Sequence, residues 1–142
     1  MKRLLSALVL ISIVVFTLSA CGASNMKIEN YEWKMRTVMR NDTDLDFPAV
    51  GAADVAYPEA KIVDLTLVAK DGKITITDAT NNKTYEGTYS VSGKNPKGTD
   101  YEITIDGKEG QATVAMTTYA DGKEEPTLPI NLGDYSIYFY AK

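Results

Sequence analysis

The sequence predicts an all-β protein whose strands form a single antiparallel up-and-down barrel of seven or eight strands, with a β-sandwich as the alternative. Short segments in which apolar and polar residues alternate recur from residue 31 onward, as is typical of strands with one buried face. Asp-Gly pairs that begin at Asp71, Asp106 and Asp121 separate several of these segments and favour tight hairpin turns. The last segment is amphipathic enough to pair with the first, and closure would remove the sheet edges.

The first strand is predicted at residues 31–39, where the alternation is strict. Its core face would carry Tyr31, Trp33, Met35, Thr37 and Met39. Residues 40–61 contain Pro48, Gly51 and Pro58 and lose the alternation. We therefore expect a long loop there, with one helical turn near 52–56.

Residues 61–77 are predicted to form a hairpin around Asp71-Gly72. A two-residue turn would pair Ala69 with Ile74 and Leu67 with Ile76, so that all four side chains share the core face. The next strand, 84–92, contains Gly87, which indicates a bend or bulge. Residues 93–99 would form the loop after it.

Four further strands complete the predicted meander, and the first of them, at residues 101–105, presents Tyr101, Ile103 and Ile105 on one face. Residues 110–120 would point Ala112, Val114 and Met116 inward. Residues 126–132 contain Pro129, which we expect at an edge or bulge because proline cannot donate to a ladder. The last strand is apolar on both faces, with Tyr135, Ile137 and Phe139 opposite Tyr138 and Tyr140.

The N-terminus predicts a different kind of segment. Lys2 and Arg3 precede an uncharged apolar run at 4–18, which ends in Leu18-Ser19-Ala20-Cys21; this order is typical of a secretory signal peptide. The tetrapeptide resembles the lipobox of bacterial lipoprotein precursors. That resemblance implies cleavage between Ala20 and Cys21 and a diacylglyceryl group on Cys21. The chain would then comprise a signal peptide (1–20), a lipidated N-terminus and tether (21–30) and a barrel domain (31–142), anchored to a bacterial membrane on its extracytoplasmic side.

Composition excludes several chemistries. The chain contains no histidine, and its single cysteine is the expected lipid attachment site. Ser-His-Asp and Cys-His arrangements and histidine-rich zinc sites are therefore excluded, and we expect neither an enzyme nor a cofactor. The net charge of −4 becomes about −6 once Lys2 and Arg3 are removed with the signal peptide. This charge argues against nucleic acid as a partner and against electrostatic docking on anionic lipid.

The barrel segment is similar to small lipocalin-like (calycin-like) lipoproteins of bacteria. The residues that carry the resemblance are Trp33 in the first strand, the loop at 40–61, the Asp71-Gly72 hairpin, the segment YEGTYSV at 85–91 and the aromatic ending at 126–142. The resemblance implies a barrel fold with an interior that can hold a ligand.

The barrel interior is the first candidate site. It could hold a small apolar or amphipathic ligand, with loop 40–61 as a lid, or its side chains could simply fill the core. The predicted ligand-binding residues are Trp33, Met35, Leu67, Tyr85, Tyr89, Ile103, Met116 and Phe139, and Leu65, Val114 and Ile137 would also face the interior.

Two further candidates lie outside the interior. Asp42, Asp44 and Asp46 have the spacing of calcium ligands, but the expected glycine and glutamate are replaced by Phe47 and Ala53. We therefore interpret them as a solvated acidic loop and predict no metal site. The second candidate is an outer group, Tyr119, Tyr138 and Tyr140, which could meet an envelope protein or a cell-wall component or simply reflect β-propensity. A carboxylate-based hydrolase, the third hypothesis, would require two close, buried carboxyl groups.

Overall fold

The described part of the chain folds almost entirely into antiparallel strands. The computed structural model describes residues 25–40, 45–48 and 63–142. Within these ranges a 3₁₀ turn at Ile28–Asn30 precedes nine strands: β1 (Trp33–Arg40), β2 (Leu45–Pro48), β3 (Leu65–Lys70), β4 (Lys73–Asp78), β5 (Lys83–Asn95), β6 (Gly98–Ile105), β7 (Lys108–Thr118), β8 (Glu124–Leu132) and β9 (Tyr135–Ala141).

Eight of these strands close into a barrel. Strands β3 to β9 pair in chain order, and β1 joins the two ends of this series by pairing with both β9 and β3. Strand β2 pairs with the second half of β1 and lies outside the ring. The predicted closed antiparallel barrel is confirmed, and the β-sandwich alternative is wrong. The closed barrel is compatible with the lipocalin-like fold.

The predicted β3–β4 hairpin is confirmed. Ala69 pairs with Ile74 and Leu67 with Ile76, and all four side chains are buried. Asp71 and Gly72 both have positive φ, 52° and 78°. Two consecutive left-handed residues make a type I′ turn, whose twist matches that of the flanking strands.

The strict alternation predicted for the first strand is wrong beyond Met35. The pairing of β1 with β9 shifts register between Met35 and Thr37, so Arg36 occupies a β-bulge. A bulge adds one residue and exchanges the faces of all residues after it. As a result Val38 is 6% exposed, whereas Met39, predicted to face the core, is 37% exposed.

The predicted loop at 40–61 is also wrong in part. Arg40 is the last residue of β1, and Leu45–Pro48 forms β2. The two segments pair directly, from Thr37 with Pro48 to Arg40 with Leu45. The rest of the loop, including the helical turn expected near 52–56, lies outside the described residues.

Glycine has a different role in β5 from the predicted one. The register shift in this strand falls between Val91 and Gly93, not at Gly87. A Cβ atom at Gly87 would lie 1.9 Å from the backbone oxygen of Thr104, so glycine is required there for close approach of β6. The predicted loop at 93–99 is wrong as well, because β5 continues to Asn95 and β6 starts at Gly98.

Pro129 lies within β8 and not at a sheet edge, since β8 pairs with both β7 and β9. Its ladder with β7 is interrupted between the pairs Ala112–Ile130 and Ala115–Thr127. This interruption accommodates a residue that has no N–H to donate.

The barrel has two different ends. The closed end contains the first residue of β1, the last residue of β9 and the turns β3–β4, β5–β6 and β7–β8. The open end contains the last residue of β1, the first residue of β3 and the turns β4–β5, β6–β7 and β8–β9.

A short N-terminal segment, residues 26–30, seals the closed end. Met26 and Ile28 are buried in the hydrophobic core. Trp33 Nε1 donates to the Ile28 carbonyl oxygen over 2.8 Å. The Ile28 N–H donates to Tyr101 Oη over 3.1 Å, and Thr99 Oγ1 donates to the Met26 carbonyl oxygen over 3.0 Å. These bonds satisfy buried polar groups that would otherwise destabilise the fold.

Candidate ligand-binding site

A cavity of about 400 Å³ opens at the open end of the barrel. Its walls are mainly apolar, and its polar groups lie close to the turns at the mouth. The apolar and tyrosine side chains are Val38, Val63, Leu65, Ile76, Tyr85, Ile105, Leu132, Tyr135 and Ile137. The charged and amide side chains are Arg40, Asp78, Asn81, Asp106 and Lys108.

Strand alternation explains why these side chains meet. Ile76 on β4 and Ile105 on β6 are the apolar inward-facing residues nearest the open end of their strands. Ile74 and Ile103 are two residues further from the mouth on the same face; they belong to the buried core and do not line the cavity. The cavity is therefore the last layer of the barrel interior, which the described side chains leave unfilled.

Asp78 is the most buried charged residue of the cavity wall, and its carboxylate is already saturated with donors. Its Oδ1 accepts hydrogen bonds from the backbone N–H groups of Thr80 and Asn81, both over 3.0 Å. Its Oδ2 accepts a bond of 2.7 Å from Asn81 Nδ2. This pattern is that of an Asx turn, so Asp78 shapes the β4–β5 turn.

Two tyrosines provide the free polar groups of the cavity. Tyr85 and Tyr135 are both half-buried, and their rings pack against the core. Neither hydroxyl forms a hydrogen bond within the part of the chain that the structure describes. Lys108 Nζ lies 5.8 Å from the centroid of the Tyr135 ring, a cation–π distance. The mouth thus combines unused hydroxyl groups with a cation.

The eight predicted ligand-binding residues are divided between the cavity, the core and the surface. One of the eight, Tyr85, lines the cavity. Leu65 and Ile137, which were predicted to face the interior but are not among the eight, also line it. The structure instead packs five of the eight deep in the core, away from the cavity: Trp33, Met35, Leu67, Ile103 and Phe139. Their sealed position results from the plug at residues 26–30.

Met116 does not face the interior as predicted, because it is 42% exposed. Alternation places it on the same face as Val114, but the pairing of β7 with β6 ends at Ala115 and Gly98. The residue therefore lies beyond the closed end of β6, and among the described strands it is paired on one side only, with Pro126 of β8.

Tyr89 packs at the closed end, against Tyr101, with ring centroids 5.8 Å apart. Its hydroxyl donates a hydrogen bond to the Glu29 carboxylate. Burial, together with this bond, raises the pKa of Tyr89 to about 12. Tyr89 thus holds the plug in place and does not reach the cavity.

The predicted ligand-binding set does not include most of the residues at the mouth of the cavity, among them Val38, Ile105, Lys108, Leu132 and Tyr135. Most of these residues adjoin the Asp106-Gly107 and Gly133-Asp134 turns. In an up-and-down barrel, alternate turns meet at the same end. The order of the turns was therefore the signal that could have identified them.

A polar cluster lies on the outer surface where β1, β7, β8 and β9 meet. Arg36, in the β1 bulge, donates to Tyr119 Oη and, over 2.6 Å, to Glu125 Oε1. Its Cζ lies 5.3 Å from the Tyr119 ring centroid and 4.8 Å from that of Tyr140. Lys123 Nζ is 3.0 Å from the second Glu125 oxygen.

Hydrogen bonds from these neighbours favour the ionised form of Glu125. Tyr119 Oη donates to Glu125 Oε1 over 2.6 Å, and this bond, together with those from Lys123 and Arg36, lowers the pKa of Glu125 to about 2. Two of the three predicted outer tyrosines therefore belong to a structural network, whereas Tyr138 is 46% exposed.

Several predicted features lie outside the described residues: the lipobox with Ala20 and Cys21, the side chains of Asp42, Asp44 and Asp46, and the lid. Within the described ranges, no helix is long and apolar enough to cross a membrane. The same ranges contain no group of three or more His, Cys, Asp or Glu residues that could hold a metal ion.

No family model, curated protein or solved structure matches this chain. Its function must therefore be inferred from its own residues.

Proposed function

We propose that the chain is a lipid-anchored extracytoplasmic binding module that holds a small amphipathic molecule in the open-end cavity. The observation that carries this proposal is the cavity itself, about 400 Å³ with mainly apolar walls. Small-molecule sites in proteins have volumes of about 300–1,000 Å³, with a few polar groups that fix the orientation of the ligand.

The distribution of polar groups favours an amphipathic ligand over a purely apolar one. The isoleucine and leucine side chains form the walls, while the Tyr85 and Tyr135 hydroxyls and Lys108 lie near the turns. An apolar portion would displace water from the walls, which is favourable in proportion to the area buried. A polar head would then accept hydrogen bonds from the tyrosines at the mouth.

The anchor in this proposal is the acylated Cys21. The support for it is the order of Lys2, Arg3, the apolar run at 4–18 and the Leu18-Ser19-Ala20-Cys21 motif. Two or more acyl chains hold a protein to a membrane far more firmly than one. The binding module would therefore stay at the surface of the cell membrane.

A second candidate is an interaction domain that contacts an envelope protein or a cell-wall component. Tyr138 supports it, because this large side chain is exposed on β9 beside a network that holds Tyr119 and Tyr140 in fixed positions. Aromatic residues are enriched at protein interfaces.

Native mass spectrometry would separate the two candidates. Residues 22–142 would be incubated with a lipid and metabolite extract of bacterial membranes. We expect a discrete adduct that Ile105→Phe abolishes, because the larger ring fills the cavity. The matched control is Ile103→Val, two residues away on the same face but outside the cavity, which should retain the adduct.

The bare mass for the unchanged protein under gentle conditions would contradict ligand binding. A Tyr138→Ala variant that loses binding to an envelope protein or to isolated cell wall would then support the interaction domain. An adduct that persists in a folded Ile105→Phe variant would place the ligand elsewhere.

A further inference from the structure

One side of the closed end of the barrel carries a group of exposed lysines. Five lysines lie in the plug, in the β3–β4 hairpin and at the β5–β6 tip: Lys27, Lys70, Lys73, Lys94 and Lys97. All five side chains are exposed. Among the described residues, none of these ammonium groups has a carboxylate partner within ion-pair distance, unlike Lys34, Lys123 and Lys142.

The β3–β4 hairpin shows the clearest imbalance. Lys70 and Lys73 pair directly across the strands on either side of the turn. Like charges in that position destabilise a hairpin. Val68, on the same outer face, is 51% exposed. Two cations beside an exposed apolar side chain fit a surface that offers phosphate groups above an apolar layer.

The closed end also carries acidic residues on both of its sides: Glu29 lies in the plug, where it accepts a hydrogen bond from Tyr89, and Asp100 lies beside the β5–β6 tip, where it accepts one from Thr113. Asp121, Glu124 and Glu125 lie in or beside the β7–β8 turn, where Lys123 balances Glu125. Asp71 is the one acid between the paired lysines of the β3–β4 turn. The five lysines share this side with Glu29, Asp71 and Asp100, so the negatively charged chain has a local excess of two positive charges there.

The segment between Cys21 and the barrel is too short for the open end to face a membrane that holds the lipid on Cys21. Four residues separate Cys21 from the buried Met26, and the five Cα–Cα steps between these two residues span at most about 17 Å when fully extended. Strand β6 has eight residues, which at about 3.4 Å each and a tilt of about 40° give the barrel a height of about 20 Å. A lipid attached through Cys21 cannot reach past the open end.

We propose that the closed end rests on the membrane, with these five lysines toward lipid phosphate groups, so that the cavity opens away from the bilayer. This inference rests on the acylation of Cys21 in the proposed function. Its consequence is that the ligand enters from the aqueous compartment and not directly from the lipid layer.

The orientation can be measured on the acylated full chain in vesicles of phosphatidylcholine and phosphatidylglycerol. Because acylation consumes Cys21, an introduced cysteine is the only free thiol. A fluorophore would be attached at Pro96→Cys, in the β5–β6 turn, or at Asp134→Cys, in the β8–β9 turn. With a quencher on the lipid headgroups, we expect several-fold stronger quenching at position 96 than at position 134.

A matched pair of variants tests the contribution of the lysines. Lys73 and Lys83 are both exposed and are the first residues of adjacent strands, but at opposite ends of the barrel. Lys73→Gln should reduce quenching at position 96 several-fold in anionic vesicles, since each lysine near such a surface contributes substantially to binding. Lys83→Gln should leave it unchanged.

The outcomes distinguish the inference from the proposed function. Stronger quenching at position 134 in an acylated chain would overturn the orientation and leave ligand binding intact. Equal effects of Lys73→Gln and Lys83→Gln would overturn the lysine contact. A purified chain whose mass shows no acyl group would overturn the anchor together with the orientation.

Discussion

The two ends of the barrel are built from the same strands, and yet the described residues fill only one of them. Strand β4 contributes Ile74 to the closed end and Ile76 to the open end, and both side chains are buried. At the closed end, residues 26–30 add side chains and hydrogen bonds that complete the core. At the open end the described residues leave a cavity of about 400 Å³. Side chains of the same type therefore form a core or a binding site depending on whether another segment covers them.

The largest expected effect tests the packing of the closed end. Trp33→Ala should lower the free energy of unfolding by about 4 kcal/mol, because truncating a buried aromatic residue leaves a cavity and the Ile28 carbonyl loses its donor. Urea unfolding followed by circular dichroism would measure this change. Tyr138→Ala, which truncates an exposed aromatic residue of β9, should cost less than about 1 kcal/mol. Similar losses in both variants would contradict a tightly packed closed end.

An intermediate effect compares the two ends within one strand. Ile74→Phe should destabilise the protein by about 2 kcal/mol, since a filled core resists a larger side chain. Ile76→Phe should cost less than about 1 kcal/mol, because the ring can occupy the cavity. The same unfolding measurement applies to both variants. Equal costs would mean that the open end is as tightly packed as the closed end.

The smallest effect concerns the outer network beside the closed end. In the folded protein the pKa of Glu125 is about 2, below its ordinary value of 4.5. Its contribution is therefore present above pH 4.5 and is lost as the pH falls from 4.5 toward 2. Glu125→Gln should lower the free energy of unfolding at pH 7 by about 1 kcal/mol.

The acid dependence provides the diagnostic measurement for this network. Between pH 5 and pH 3, unfolding curves of Glu125→Gln should change less than those of the unchanged protein. Glu124→Gln is the matched control: this neighbour is exposed and accepts one hydrogen bond, from Thr118 Oγ1. If both variants show the same acid dependence, Glu125 does not carry the effect.

The fold could be predicted from local signals because most of its strand pairings join strands that are neighbours in the chain. Alternation and the Asp71-Gly72 turn were sufficient to give the β3–β4 register, since a two-residue turn fixes which residues face each other. The bulge at Arg36 was not predictable in this way. It depends on how β1 meets β9, a contact between distant parts of the chain that no local pattern encodes.

The site was predicted less well, for a related reason. Sequence alternation indicates which side chains face the interior, and Tyr85, Leu65 and Ile137 were identified by it. It does not indicate which layer of the interior remains unfilled. Which layer is filled depends on Met26 and Ile28, and both residues belong to the segment 21–30 that the sequence predicts to be a tether.

The closure of the barrel has a consequence for the order of folding. Every pairing from β3 to β9 joins strands adjacent in the chain, and such local hairpins form quickly. The β1–β9 ladder instead joins Trp33 to Ala141, so the chain must lose the entropy of a long loop before these contacts form. We therefore expect this seam to form late, and substitutions along it to accelerate unfolding more than they slow refolding.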